Sequence, residues 1–146
     1  MAEEVFAIAV SSWKHRLAAR SAAELSESQY LTLDLIIRNE AIPTVGELQR
    51  AIGVLPAQMS RIIRSLETGF DKPLIHCQLN VTEKRRIDVQ LTPEGKKVYQ
   101  EFRNTRLAKT RDMLQFLSLI DRGEFVRICR LIRENQETAQ APEKLQ

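Results

Sequence analysis

Apolar residues recur at helical spacing along most of this chain and switch to alternation over one short stretch. In residues 3–20, Val5, Ala9, Trp13 and Leu17 stand four apart while Lys14, Arg16 and Arg20 fall on other faces, which predicts an amphipathic helix. Ser26 with Gln29 forms a capping box that opens a second helix to about Asn39, with Leu33, Ile36 and Ile37 inward, and Ile42-Pro43 closes the connection. Thr44-Val45-Gly46-Glu47 is another capping box, and the helix it starts stops at Gly53. Pro56 suits the first position of the next helix, where its missing N–H would have had no partner, and Met59, Ile62, Ile63 and Leu66 follow at core spacing. The period then falls to two. Ile75, Cys77, Leu79 and Val81 share one face against His76, Gln78 and Asn80, and Ile87, Val89 and Leu91 repeat the pattern against Asp88 and Gln90. Two helices joined by a tight turn and followed by a hairpin with one wet face are the parts of a helix-turn-helix with a β-wing.

Thr92-Pro93 caps and starts a long helix, which the pattern carries to Ser118. Val98, Tyr99 and Phe102 are apolar near its start and Met113, Leu114, Phe116 and Leu117 near its end, but Arg103 to Asp112 holds only Leu107 and Ala108. A helix polar nearly all round bridges solvent, and at 1.5 Å per residue this one is about 39 Å long, so it is expected to be a stalk. Beyond Asp121, Phe125, Ile128, Leu131 and Ile132 form a last amphipathic stripe. The first helix, the far end of the stalk and the last helix have apolar faces with too little chain nearby to bury them, and a second copy of the protein would supply what is missing. The expected fold class is mainly α with a small β-wing (α+β). The chain is expected to be a single domain, with dimerisation helices at 1–22 and 113–138, a winged helix-turn-helix at 26–97, a stalk at 98–112 and a flexible tail at 139–146.

A chain of 146 residues can bury about 70% of the surface its unfolded form exposes and needs no staples. Its net charge of +3 and pI near 9.1 are mild. The distribution says more: four basic residues against six acidic in 1–43, nine against six in 44–97, and nine against seven in 98–146, so positive charge gathers from the proposed reading head onward. Two cysteines, Cys77 and Cys129, make no disulfide framework, and with no leader and no membrane-length apolar run a cytoplasmic location is expected.

Core spacing in the second helix of the helix-turn-helix leaves Ala57, Gln58, Ser60, Arg61 and Arg64 outward. In such motifs the N-terminal residues of this helix meet base edges in the major groove. Gln58 can bind adenine at two edges, Arg61 can bind guanine at two edges, and Ala57 can touch a thymine methyl, while Ser60 and Arg64 suit phosphates. The hairpin turn carries Lys84, Arg85 and Arg86, of which an arginine suits a narrow minor groove and Lys84 the backbone. The plain alternatives are a solvated helix face and a hairpin edge kept soluble by charge. His15 and His76 lie on different elements, and no Cys/His/Asp spacing suggests zinc. Cys77 and Cys129 are expected to pack as small buried hydrophobes, one beneath the wing and one within the last helix. No nucleophile with a base and orienter and no glycine-rich phosphate loop is present, so neither an enzyme nor a cofactor is expected.

The segments Leu25-Ser26-Glu27-Ser28-Gln29-Tyr30, Glu47-Leu48 to Gly53, Met59-Ser60-Arg61-Ile62-Ile63-Arg64-Ser65-Leu66-Glu67 and Arg85 to Leu91-Thr92-Pro93-Glu94-Gly95 occur in an order and spacing that resemble the MarR family of dimeric winged-helix transcriptional regulators, over nearly the whole chain. Where that family usually has serine or threonine before the recognition helix this chain has Leu55, and where it has aspartate in the wing this chain has Glu83, long enough to pair with a wing arginine. The resemblance implies a DNA role for Arg61, entry of Arg85 into the minor groove, a homodimer acting most often as a repressor on a pseudo-palindrome, and release by a small aromatic or phenolic effector. Trp13, His15, Arg16 and Tyr30 are candidate lining groups for such a ligand. Two other functions are consistent with the residues alone: a winged-helix protein-interaction module and a nonspecific DNA binder.

Overall fold

Hydroxyl caps start most of the helices. In the computed structural model, which describes residues 2–18 and 25–140 with side chains for 2–11 and 25–136, the order is α1 (Ala2–Ala18), α2 (Glu27–Arg38), α3 (Val45–Ile52), α4 (Pro56–Thr68), β1 (Ile75–Leu79), β2 (Ile87–Leu91), α5 (Pro93–Leu114) and α6 (Leu119–Gln140). At α2 the Ser26 Oγ accepts from the Gln29 N–H at 3.2 Å while the Gln29 Oε1 accepts from the Ser26 N–H at 2.7 Å. Thr44 and Glu47 make the same reciprocal pair at 3.3 and 2.8 Å, and α3 ends on Gly53 in the left-handed region, φ +74°, where only glycine avoids strain. Both boxes stand where the sequence puts them. Each cap of this kind is worth about 1 kcal/mol.

The chain divides into two compact units, residues 1–103 and 104–146. In the first, α2, α3, α4 and the hairpin close over one core in which Leu33, Leu48, Met59, Leu66, Leu74, Ile75 and Val89 are fully buried. Burying side chains of this size contributes about 1.5–3 kcal/mol apiece before entropy is counted. The strands pair antiparallel with Ile75 opposite Leu91, Cys77 opposite Val89 and Leu79 opposite Ile87. The chain just before α3 joins the free edge of β2: the Val89 N–H donates to the Pro43 carbonyl at 2.9 Å, and Thr44 bridges Asp88. Thr92 caps α5 through Gly95 N–H (2.9 Å) and donates its own hydroxyl to the Pro73 carbonyl at 2.8 Å. Gly95 is needed because a Cβ there would lie 2.0 Å from the Leu74 carbonyl oxygen. Tyr99 is buried, stacks on Tyr30 at 5.2 Å between ring centres, and donates its phenol to Asp34 at 2.6 Å. Burial, followed by the bond to Asp34, pushes the Tyr99 phenol well above its ordinary pKa.

Several sequence expectations change. Ile37 is exposed, because one residue step turns a helix by about 100° and carries it off the face centred on Thr32, Leu33 and Ile36. Only the base of the hairpin is buried: Leu79, Ile87 and Val81 share the apolar side of the pattern but are exposed, since the core lies under Ile75 and Val89 and does not reach the tip. α5 stops at Leu114, giving 22 residues and about 33 Å. Ser118 instead caps α6, accepting from the Asp121 N–H at 3.1 Å, so the last helix begins before Asp121. Arg122 donates to the carbonyls of Gln115 and Leu117 and satisfies the turn. α6 runs through Gln140, so 139–140 are helical; 141–146, like residues 19–24, lie outside the described residues. Cys129 is exposed, on a helix whose described side chains are all exposed, including Phe125, Ile128, Leu131 and Ile132. Val5, Phe6 and Ile8 of α1 are also exposed.

Gly95→Ala is expected to lower stability by about 1–3 kcal/mol, the usual range for forcing atoms into a filled site, because the obstructing atom is backbone. Urea unfolding of the two proteins measures this.

Candidate nucleic-acid interface

Helix α4 divides its residues cleanly by face. Met59, Ile62, Ile63 and Leu66 are buried against the core, and Ala57, Gln58, Ser60, Arg61 and Arg64 are exposed. Among the described residues, no hydrogen bond or ion pair engages the side chains of Gln58, Arg61 or Arg64, so an amide and two guanidinium forks are presented to solvent on one helix. Ser60 differs: its hydroxyl donates to the Pro56 carbonyl at 3.0 Å, and that bond must be released before Ser60 can donate to a phosphate. Helix α3 packs against both α2 and α4, and Gln29 of the α2 capping box donates to Ser65 of α4 at 2.9 Å, so α4 is held by its neighbours on the side away from the exposed residues.

The wing turn is built by Asn80. Its Oδ1 accepts from the N–H groups of Thr82 and Glu83 at 3.0 and 2.8 Å, and its Nδ2 donates to both oxygens of Asp88 at 2.9 and 3.0 Å. These bonds leave Lys84 and Arg85 exposed at the tip, where neither side chain has an ionic partner among the described residues. Arg86 is engaged elsewhere. Its guanidinium lies 3.2 Å from Glu83 and 3.7 Å from Glu47, so the wing glutamate does pair with an arginine, and the partner is Arg86. The structure therefore separates the three cations of the turn: two available, one bound between α3 and the wing. On sequence grounds Arg85 comes first for the minor groove, with Arg86 as its competitor and Lys84 as a backbone clamp; nothing local says that Glu47 comes within reach of Arg86.

Glu47 is the group that joins the two parts. Its Oε2 accepts from both the N–H and the hydroxyl of Thr44 at 2.8 Å, while its Oε1 faces Arg86. The bonds from Thr44, backbone first and hydroxyl second, hold its carboxyl below the usual carboxylate pKa, with Arg86 adding to the effect. Other chemistry finds little support. The Cys77 thiol is half-buried, and burial followed by the neighbouring Glu67 pushes its pKa up to about 12, so it is a poor thiolate source near neutrality. Among the described residues no group of three or more His, Cys, Asp and Glu is placed to hold a metal ion, and no helix is long and apolar enough to cross a membrane. Of the candidate effector-lining groups, Tyr30 is half-buried between Tyr99 and Phe102, whereas the side chains of Trp13, His15 and Arg16 lie outside the described residues.

No protein-family model and no curated protein matches the sequence. Solved structures do match. A MarR family protein from Bacillus stearothermophilus superposes with a TM-score of 0.73 at 16% identity over 92% of each chain. A mutant of S. aureus MepR bound to an oligodeoxyribonucleotide gives 0.62 at 16% identity over 93% of this chain and 98% of that one. Bordetella bronchiseptica BpsR, whose DNA binding is regulated by 6-hydroxynicotinic acid, gives 0.60 at 17% identity over 89% and 98%. The fold is thus the MarR-type winged helix, mainly helical with a two-stranded wing.

Because the folded-state pKa of Glu47 is depressed, its contribution to stability is fully present above the unfolded carboxyl value of about 4.3 and is lost as pH falls through the lower folded value. The melting-temperature gap between the parent and Glu47→Gln is expected to be constant above about pH 5 and to close below that range. Thermal melts across pH 2.5–7 check the sign.

Proposed function

We propose that this chain, on the premise of its MarR-type winged-helix fold, is a homodimeric, sequence-specific DNA-binding transcriptional regulator rather than an enzyme. One arrangement supports this most: on α4 and the wing tip Arg61, Arg64, Lys84 and Arg85 are exposed and without ionic partners among the described residues, while Arg86, next to Arg85, pairs with Glu83 and Glu47. Neutralising cations left facing water from a reading helix and a hairpin tip suit a phosphate-lined polymer. In this reading Gln58 and Arg61 bind base edges, Ala57 meets a thymine methyl, Ser60, Arg64 and Lys84 hold phosphates, and Arg85 enters the minor groove. Arg86 orients the wing.

Exposed apolar residues on α1 and α6, among them Val5, Phe6, Phe125, Ile128 and Leu131, support a second copy as the partner that covers them, with 1–22 and 113–138 as dimerisation segments and 98–112 as the stalk. Paired reading helices would then meet half-sites about one helical turn, roughly 34 Å, apart, on a pseudo-palindrome. Repression follows from occupancy of such a site. Control by a small aromatic or phenolic acid, as for BpsR, is part of the proposal, and such a ligand acts only by binding one spacing of the two heads better than another.

Selection from random duplexes with the full chain, followed by titration at several salt concentrations, tests the proposal. A two-fold symmetric site and a steep loss of affinity with salt are expected, and a dimer in sedimentation. Arg61→Ala and Arg85→Ala should each weaken operator binding by about 1–3 kcal/mol without changing the melting temperature. Affinity that ignores salt would favour a protein-docking module, and a salt slope without preference for any duplex would favour a nonspecific binder; either result overturns the proposal.

A further inference from the structure

We infer that Leu55, at the leading edge of α4, reads the 5-methyl group of one thymine in each half-site and so fixes part of the sequence preference; this rests on the DNA-binding reading above. Helices α2, α3, α5 and α6 begin on the hydroxyls of Ser26, Thr44, Thr92 and Ser118, each accepting a backbone N–H. Helix α4 begins on Leu55, which makes no side-chain cap. Leu55 is also 73% exposed, and Pro56 and Ala57, which follow it, are exposed as well. Among the helices whose starts are described, α4 is therefore the one that forgoes a side-chain cap, and it opens with three consecutive apolar residues in water. Both penalties fall at one place, and both are offset if that edge is covered when the helix meets its target.

The chemistry of the edge selects what covers it. A phosphate needs donors, and few are on offer: Leu55 has none on its side chain, Pro56 has no N–H, and the N–H groups of Gln58 and Met59 already donate to the Leu55 carbonyl at 3.0 Å each. A base edge read by hydrogen bonds needs polar atoms that this edge also lacks. The major groove holds one apolar feature, the C5-methyl of thymine, and an isobutyl group matches it. Gln58 and Arg61, exposed within the next two turns, place hydrogen-bonding groups directly after it on the same helix. The implied half-site has a thymine at its outer or inner limit, followed by bases read through hydrogen bonds.

The test uses the duplex selected by the parent protein, remade with each thymine replaced singly by deoxyuridine, which removes the methyl and keeps the hydrogen-bonding edge. In each half-site one replacement is expected to weaken the parent about fourfold, the worth of one buried methyl, and to leave Leu55→Ser unaffected, whereas replacement of a thymine met by Ala57 weakens the parent and both Leu55 variants alike. Leu55→Ser supplies the missing cap and should melt no lower than the parent; Leu55→Ala, which adds no polar group, should show the same insensitivity. If every replacement affects the parent and both variants alike, or none affects the parent, Leu55 reads no methyl even though selective binding stands. Absence of any preferred duplex would overturn this inference together with the function it rests on.

Discussion

The carboxylate of Glu47 closes the first turn of α3 and reaches the wing arginine Arg86, so the joint between helix-turn-helix and hairpin runs through one side chain. Ion pairs as exposed as Arg86 with Glu47 add little by themselves. The firmer part of the joint is backbone: Val89 N–H on the Pro43 carbonyl, and the bridge of Thr44 to Asp88. Thr44 is thus the end of a strand-like contact and the cap of a helix at once. Any rotation of the hairpin against α3 would break a sheet bond and disturb a cap together. The separation between the outer face of α4 and the wing tip follows from that coupling.

Within this frame the charges sort themselves by what the backbone leaves near them. Arg38 meets Asp34 one helical turn away at 2.8 Å, and Asp34 also accepts from the buried Tyr99 phenol, which ties α2 to α5 at the head of the long helix. Arg86 is taken by two glutamates. Among the described residues, the side chains of Arg61, Arg64, Lys84 and Arg85 have no hydrogen-bond or ionic partner. Asn80 contributes to this outcome without carrying charge, because its amide organises the turn and holds Asp88, so that an acidic group near the tip is occupied by an amide and not by the tip cations.

The second unit poses a different problem, with apolar side chains such as Phe116, Leu119 and Ile120 more than four-fifths exposed. Helix α6 is long, its polar face carries pairs such as Arg127 with Glu124, and its apolar stripe is exposed among the described residues. Exposed apolar area on this scale is destabilising in water unless another surface meets it. The core of the first unit is filled by its own residues, whereas the apolar side chains of α6 among the described residues face water, which is the feature on which the proposed pairing of two copies rests.

Much of the architecture was legible from residues a few positions apart. The boxes at Ser26 and Thr44, Gly53, Pro56, the inward face of α4, the alternation of the hairpin and the Thr92 cap all follow from local rules, in which the partner of each group lies within four residues. The outward placement of Ala57, Gln58, Arg61 and Arg64 came from the same periodicity. One local signal was missed, the cap that ends α5, and the rest of what escaped was settled by distant chain. The end of α5 was set by a competing cap at Ser118, whose Asp121 partner outweighed continued helical spacing. Exposure of Ile37, Leu79, Ile87 and Cys129 depended on where the core stops, which periodicity cannot state because it gives a direction and not a cover. The pairing of Arg86 with Glu47, and the bond from Tyr99 to Asp34 across 65 positions, required knowing which elements meet. Sequence alone determined the elements and their inner faces, since backbone bonding and side-chain period are local; tertiary structure alone decided which polar groups are engaged and which remain available, since that depends on neighbours brought together only by folding.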